Sequence, residues 1–270
     1  MSLWNRLFYK TRKFYDDDFD WDNYTGDAYA RQLDRMSGEL QMIADQGELS
    51  FDPATGHVTC GEPPLHPNAL AIFEAIGQLQ PKSVLETGCG GGDHLGNGMG
   101  LFPEITFKGG DRSQGQLDLA VKRHPKLAGH VGLLDLTMPF SRHWPTAEFV
   151  YSQAVIMHIH TAVSHFVALS NMINLSTRHV LLMENLQCHN FVEEITALQE
   201  GGHTNWDEMN MYVFEGSHGA RAILLSKDQL DYPKLTSDTQ IREGLKPSQR
   251  RLKRADEDTA RATYGPARQG

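Results

Sequence analysis

The sequence predicts an α/β fold: a doubly wound, mostly parallel sheet with an antiparallel last strand, a helical amino-terminal extension and a polar carboxyl-terminal tail. Three observations predict it. From Ser83 onward, short apolar runs alternate with helical stretches, which is typical of a parallel sheet covered by helices. The first run leads directly into a cluster of glycines. The last two runs flank the turn Gly216–Gly219, which predicts a hairpin at one edge of the sheet.

The elements follow in chain order. Before the sheet, apolar residues at helical spacing predict a helix over residues 29–43, a turn signal predicts a small hairpin near residues 50–60, and NALAIFEAIGQL predicts a second helix. The predicted parallel strands are SVLETG, ITFKGGD, HVGLLDL, EFVYSQAV and HVLLMEN, with a helix over TAVSHFVALSNMINLS between the last two.

We expect three segments: a helical extension with a small hairpin over residues 1–67, the sheet domain over 68–230, and a polar, mobile or loosely docked tail over 231–270. Within the first, the acidic and aromatic stretch 14–29 acts either as a lid over a bound ligand or as a solvated segment packed on the domain. The basic stretch 242–254 contacts an anionic partner or forms a solvated helix face.

Charge and cysteine content narrow the class of protein. The formal net charge of -9 disfavours a nucleic-acid partner, because the chain would repel phosphate. The three cysteines are widely separated and form no CxxC pair, which indicates a reducing, cytoplasmic setting rather than a disulfide framework or a structural zinc site. No apolar stretch is long enough to predict a membrane span, and the first residues lack the features of a cleaved leader.

The glycine cluster after the first strand differs from the usual nucleotide-binding loops. A dinucleotide loop has the spacing GxGxxG, whereas Asp93 stands where its third glycine would be, and Gly88, Gly90 and Gly92 follow GxGxG spacing. A P-loop would end in Gly-Lys-Ser or Gly-Lys-Thr, and this glycine cluster contains no lysine. The carboxylate of Glu86, just before the loop, would repel a pyrophosphate and attract a cation.

Two further carboxylates follow the next two strands. Asp111 stands at the distance along the chain where an acidic residue accepts hydrogen bonds from ribose hydroxyls, and Asp135 follows the third strand. Together with Glu86 they predict a site for a positively charged nucleoside without phosphate. Each also has a plain structural interpretation: Glu86 as a partner of the helix dipole, Asp111 and Asp135 as turn residues.

With these residues in place, the chain resembles the Rossmann-like S-adenosylmethionine-dependent methyltransferases. The resemblance covers roughly residues 68–228 and rests on VLETGCGGG, GGDRS, GLLDL, VYSQAVIMHI and HVLLMEN in that order. It implies S-adenosylmethionine as cofactor and S-adenosylhomocysteine as product. It also implies that Glu86 and the glycine loop surround the methionine part, Asp111 holds the ribose, and Asp135 lies beside the adenine. The cofactor-binding residues predicted in this way are Glu86, Gly88, Cys89, Gly90, Gly92, Asp111, Arg112, Asp135, Leu136 and Ser152.

Histidine at the end of the fourth strand offers a catalytic base. Methyl transfer to an alcohol requires alignment of the acceptor and removal of a proton, and His158 is the predicted base, with bracing of its loop as the alternative. Cys89 is interpreted as packing rather than as a reactive thiol. A metal site formed by His158, His160, Cys188 and His189 is disfavoured, because spacing fixes no third ligand. The polar loop that starts at Glu184 either orients a substrate or satisfies backbone groups.

The sequence therefore predicts a cytoplasmic methyltransferase that uses S-adenosylmethionine, with an alcohol of a small molecule or glycan as acceptor. An NPPY-like signature is absent after the fourth strand, where SQAV stands. Its absence disfavours amides and nucleic-acid bases as acceptors. The alternatives are a binding protein that keeps the cofactor site without catalysis, and a nicotinamide-dependent oxidoreductase.

Overall fold

A computed structural model of the chain describes residues 44, 48–159 and 164–245. They form a seven-stranded sheet flanked by helices, and a two-stranded hairpin. The strands are β1 Ser50–Asp52, β2 His57–Thr59, β3 Ser83–Thr87, β4 Thr106–Asp111, β5 Val131–Leu133, β6 Ala147–Gln153, β7 Ser176–Met183, β8 Asn210–Glu215 and β9 Arg221–Ser226. The α-helices are α1 Pro67–Leu79, α2 Asp93–Leu101, α3 Gln114–Arg123, α4 Ser164–Leu175, α5 Phe191–Glu200 and α6 Asp238–Arg242.

The strand order of the large sheet is β5-β4-β3-β6-β7-β9-β8. The strands β3 to β7 pair in parallel, and β9 is antiparallel to both of its neighbours, β7 and β8. This confirms the predicted doubly wound sheet and its antiparallel hairpin. From β3 the chain first builds outward through β4 and β5, then crosses over to β6 on the other side. The order therefore reverses between β3 and β6, which is where open α/β sheets bind ligands.

The strands are apolar on both sides because the sheet is buried on both sides. Along β6, Phe149 and Tyr151 face one core with α1, while Val150 between them faces a second core with α4 and α5. The strand alternation of period two accounts for this division. The predicted strands all form, although β5 is shorter than its apolar run.

The small hairpin predicted before the sheet forms as β1 and β2 and is docked on the first core. Buried Glu74 of α1 accepts hydrogen bonds from the amide of Val58 on β2, at 3.2 Å, and from the amide of Ser217 in the β8–β9 turn, at 2.8 Å. One carboxylate thus joins the hairpin, α1 and the far end of the sheet. The α1 helix begins at Pro67, where proline needs no amide partner.

The described part of the predicted mobile or loosely docked tail is residues 231–245, and its mobility stays a prediction. This stretch packs on the domain: Leu235 and Ile241 are buried in the second core, and the amide of Val213 on β8 donates to the carbonyl of Pro233 at 2.8 Å. Arg242 of α6 donates to the carbonyl of Leu186 at 2.8 Å. Leu235, Ile241 and the partly buried Arg242 dock the segment, and the average polarity of the stretch does not reveal them.

Some expectations lie outside the described residues: the helix over 29–43, the stretch 14–29, His160, and the basic stretch from residue 246 onward. None of the helices in the described part of the chain has the length and apolar character that a bilayer span needs.

Candidate functional site

The candidate site is the crevice at the carboxyl ends of β3, β4 and β6. Thr87, the last residue of β3, pairs with Gly110 of β4 on one side and with Ser152 of β6 on the other. The glycine loop after β3 and the loop after β6 therefore start at the same level of the sheet. The sequence-predicted residues of these loops are brought together here.

The glycine loop is shaped by three positive backbone angles: φ is 70° at Gly88, 49° at Gly90 and 76° at Gly92. A Cβ atom at Gly88 would lie 2.4 Å from Val155 Cγ2, and one at Gly92 would lie 2.5 Å from Leu127 Cδ1. At Gly90 a Cβ would meet only the side-chain oxygen of Gln116, at 3.5 Å. Gly88 and Gly92 thus allow close packing of the loop on its neighbours, whereas Gly90 borders open space.

Four amides of the loop are turned towards acceptors inside the protein. The amides of Gly88 and Cys89 both donate to the carbonyl of Gly110, at 2.7 and 3.0 Å. The amide of Gly90 donates to Asp111 Oδ2 at 3.0 Å, and that of Gly92 to the carbonyl of Cys89 at 2.9 Å. A phosphate-binding loop points such amides at its ligand. These four amides donate to the protein instead, so they are not available to bind a phosphate.

Asp111 holds the glycine loop as well as ending β4. Its Oδ2 accepts from Gly90 and its Oδ1 accepts from the amide of Ser113 at 2.9 Å. Burial raises the pKa of the Asp111 carboxyl, although these two amides pull it down. Each oxygen keeps a second lone pair for a further donor. The loop-bracing bond to Gly90 was missed from the sequence, because spacing along the chain does not reveal it.

Glu86 on β3 is only 2% exposed and is half satisfied. Its Oε1 lies 2.8 Å from His94 Nδ1 in the first turn of α2, whereas its buried Oε2 has no hydrogen-bond partner. The Tyr151 hydroxyl is close enough to lower the pKa of Glu86 but makes no hydrogen bond of regular geometry. An unsatisfied buried acceptor is rare in proteins, so Oε2 calls for a donor, which is either the Tyr151 hydroxyl, itself buried without a partner, or a group of a ligand.

Burial raises the pKa of Glu86 above its ordinary value, against the opposing effect of His94. For His94, burial works to lower the pKa, but the negative charge of Glu86 and the hydrogen bond to it outweigh burial and raise the pKa. Both shifts keep a proton on the pair. The sequence predicted Glu86 and missed His94.

Asp135 and Leu136 form the turn after β5. Asp135 Oδ1 accepts from the amide of Thr137 at 2.9 Å and from its hydroxyl at 2.7 Å, which is the turn role that the sequence also allowed. Leu136 is buried in the second core, and its carbonyl accepts from buried Asn171 of α4 at 2.7 Å. A contact of either residue with a ligand stays a prediction.

Ser152 and Glu184 fix the loop that follows β6. Ser152 is buried and its hydroxyl donates to Glu184 Oε1 at 2.7 Å, so its side chain serves the protein itself. Glu184 also accepts from three consecutive backbone amides, those of Val155, Ile156 and Met157, each at 3.1 Å. The carboxylate thus satisfies backbone groups, the second of the two roles predicted for its loop.

His158 ends the short 3-10 turn Ile156–His158 that Glu184 holds, and it is half-buried. Just before this turn, Ala154 has a φ of 56°, in the left-handed region that residues other than glycine rarely adopt. Such backbone strain persists where the surroundings impose it, and it is concentrated at functional sites. The strand end and the glutamate together set the position of His158, whose role as a base stays a prediction.

The fold and the crevice define a Rossmann-like α/β protein with carboxylates at the ends of its first strands. No protein-family model and no curated protein matches the chain. Among solved structures, it is similar to an amino pentose methyltransferase from Micromonospora echinaspora, with S-adenosylmethionine bound, at 14% identity and a TM-score of 0.46 over 60% of this chain and 91% of the other.

Two other solved structures are similar at the same level. The magnesium protoporphyrin IX methyltransferase from Synechocystis PCC 6803 shares 14% identity, with a TM-score of 0.45 over 78% of this chain and 98% of the other. The N-methyltransferase NodS from Bradyrhizobium japonicum WM9 shares 15% identity, with a TM-score of 0.38 over 57% of this chain and 85% of the other. Identities and TM-scores this low leave the function to the residues of the chain itself.

Proposed function

We propose that the protein is an S-adenosylmethionine-dependent methyltransferase. One observation carries the proposal: the glycine loop at the point where the strand order reverses has four of its amides turned inward, and it lies between buried carboxylates at the ends of β3 and β4. Such a loop suits an uncharged or positively charged ligand and opposes a pyrophosphate. S-Adenosylmethionine combines a ribose, a positive charge and no phosphate.

The residues fit this cofactor by the chemistry of their donors and acceptors. Glu86, with one unsatisfied oxygen, and the glycine loop at Cys89 and Gly90 would surround the methionine part. Asp111 would hold the ribose hydroxyls with its remaining lone pairs, next to Arg112. Asp135 and Leu136 would lie beside the adenine. When bound, the cofactor supplies a methyl group on a positively charged sulfur.

We further propose that an alcohol of a small molecule or glycan is the acceptor and that His158 takes its proton. A histidine suits this step because its ordinary pKa lies near neutral pH. Glu184 accepts hydrogen bonds from the amides of Ile156 and Met157, which fixes the backbone of the turn that carries His158 and supports its proposed role. The net charge of -9 argues against nucleic acid as acceptor.

A reducing, cytoplasmic location is part of the proposal. The three cysteines, Cys60, Cys89 and Cys188, are all free thiols in the structure. Burial raises the pKa of the Cys89 thiol well above its ordinary value, which keeps it protonated within the loop and supports packing rather than reactivity.

Calorimetry with the full chain tests the cofactor first. We expect S-adenosylhomocysteine to bind at one site per chain and NADH not to bind. Binding of NADH alone would assign the crevice to an oxidoreductase. A transfer assay with a radiolabelled methyl donor against fractionated metabolites and cell-envelope glycans then seeks the acceptor. Tight binding of S-adenosylhomocysteine without transfer to any fraction would favour a non-catalytic binding protein.

Once an acceptor is found, His158→Ala tests the base. We expect kcat to fall by roughly 100-fold or more, with the affinity for S-adenosylhomocysteine unchanged within about twofold. His143→Ala, at an exposed histidine in the loop before β6, is the matched control and should leave kcat unchanged. Equal turnover of the two variants would assign His158 to bracing of its loop.

A further inference from the structure

Two histidines and a glutamate meet outside the crevice, between the starts of α4 and α5. They are His165 in the first turn of α4, His189 just before α5, and Glu194 in the first turn of α5. One ligand atom from each residue lies within 4.8 Å of the other two. The sequence had suggested only His189 of this set, and the topology supplies the other two ligands.

The orientation of His189 is fixed by a backbone carbonyl. Its Nε2 donates to the carbonyl of Ile156 at 3.1 Å, so in the neutral ring the lone pair is on Nδ1. A histidine that binds a metal commonly donates its other ring N–H to a carbonyl or carboxylate in this way. The ring of His165 stacks on that of His189, with centroids 4.5 Å apart and planes at 17°.

The contact between His165 and Glu194 is long for a hydrogen bond. Nε2 of His165 lies 3.4 Å from Oε1 of Glu194. Two ligands at about 2.05 Å from a tetrahedral ion lie about 3.3 Å apart, so this separation matches a pair that shares one metal. The other oxygen of Glu194, Oε2, is buried and has no hydrogen-bond partner. A buried carboxylate oxygen without a partner calls for a cation or a donor.

We propose that His165, His189 and Glu194 bind one divalent transition-metal ion. Two imidazoles and one carboxylate suit zinc and its neighbours in the first transition row, and a fourth position stays open to water. The bound ion would join the starts of α4 and α5. Through the bond from His189 to Ile156, it would also support the turn that carries His158.

The test uses the full chain after removal of metals with a chelator. We expect one equivalent of Zn2+ to bind, and Co2+ in its place to give the intense visible absorption of a four-coordinate ion. His165→Gln and Glu194→Gln should each weaken Zn2+ binding about tenfold or more. The matched controls are His143→Gln and Glu193→Gln, at exposed residues outside the cluster, and they should bind Zn2+ as the parent does.

The chain has 13 histidines, which offer other places for zinc. The variants therefore decide whether Zn2+ binds at the proposed cluster. Binding that is unchanged in both His165→Gln and Glu194→Gln would overturn the proposal, as would the absence of one-to-one binding in the parent. If His165→Gln does not fold, the nearly isosteric Glu194→Gln decides alone. Affinity for S-adenosylhomocysteine, measured on the same samples, reports on the crevice separately, so failure of the metal site and failure of the cofactor site are distinguishable.

Discussion

The ends of β3 and β7 carry two buried glutamates of opposite character. Glu86 binds one histidine and leaves one oxygen unsatisfied, whereas Glu184 accepts four hydrogen bonds, three of them from consecutive backbone amides. Burial raises the pKa of both carboxyls. Charge, burial and position at a strand end are therefore shared, and only the partners differ.

The difference teaches where to look for a ligand. A carboxylate whose lone pairs are filled by the chain's own amides is part of the scaffold, as Glu184 is for the turn that carries His158. A carboxylate that keeps an empty acceptor next to a glycine loop has capacity for a ligand, as Glu86 has.

Glu184→Ala should have the largest effect, on stability. It leaves three backbone amides and the Ser152 hydroxyl without their acceptor in a buried place, so we expect the free energy of unfolding to fall by about 3 kcal/mol or more. Urea unfolding followed by circular dichroism measures it. Glu184→Gln keeps one acceptor oxygen and should lose clearly less. Equal losses in the two variants would contradict the scaffold role.

Gly90→Leu should have the next largest effect, on cofactor binding. Because a side chain at Gly90 would enter open space beside the loop, we expect affinity for S-adenosylhomocysteine to fall about 100-fold, or about 2.7 kcal/mol. Gly202→Leu is the control for backbone strain, since Gly202 also has a positive φ, of 68°, with nothing near its would-be Cβ. Calorimetry that finds equal affinity in the two variants would remove Gly90 from the site.

Asp111→Ala should cost less, roughly 1 to 3 kcal/mol of cofactor binding, which is the scale of leaving ribose hydroxyls without a charged acceptor. It also removes the acceptor of Gly90 and Ser113, so the loop itself loses support. Asp111→Asn separates the two effects, because it keeps one acceptor oxygen while removing the charge. We expect Asn to retain more stability than Ala, yet still bind S-adenosylhomocysteine more weakly than the parent. Unchanged affinity in both variants would exclude Asp111 from the ribose site.

Much of the fold was predictable, because short apolar runs indicate the strands and the spacing of the glycines indicates the loop after the first of them. The strand order, by contrast, depends on which strands pair, and the run from 231 to 245 docks through Leu235 and Ile241, whose burial no local pattern signals. Local sequence indicates elements, and tertiary contacts decide their places.

For the candidate site, the sequence predicted residue types at strand ends but not their partners. Glu86 and Asp111 were named from position, whereas the contacts that distinguish them, His94 for one and the Gly90 amide for the other, join residues that only folding brings together. For Ser152, the position predicted a cofactor contact, which stays a prediction, and did not reveal that its hydroxyl donates to Glu184. The cluster of His165, His189 and Glu194 had no spacing signal, because His165 lies on α4, Glu194 on α5 and His189 in the loop before α5.

The smallest predicted effect is a difference in pH dependence between the two glutamates. Burial holds the pKa of Glu184 in the folded protein above its value of 4.5 in the unfolded chain, although the hydroxyl of Ser152 and three amides oppose it. The folded state therefore binds the proton more tightly, and this contribution to stability is lost as the pH rises from about 4.5 through the folded pKa. Glu184→Gln lacks the contribution, so the stability of the parent relative to the variant should decline over that window.

The pH dependence of stability has the same sign for Glu86, and Glu86 also acts through the pKa of His94. The raised pKa of His94 adds stability that is fully present below 6.5 and is lost as the pH rises through the folded pKa of His94, and Glu86→Gln removes the charge that raises it. Urea unfolding of the parent and both variants from about pH 5 to about pH 8 measures this. We expect the parent's advantage over Glu86→Gln to carry an additional decline above pH 6.5, which comes from His94 and is absent from the comparison with Glu184→Gln. Parallel curves for the two pairs would mean that the histidine partner does not distinguish the glutamates.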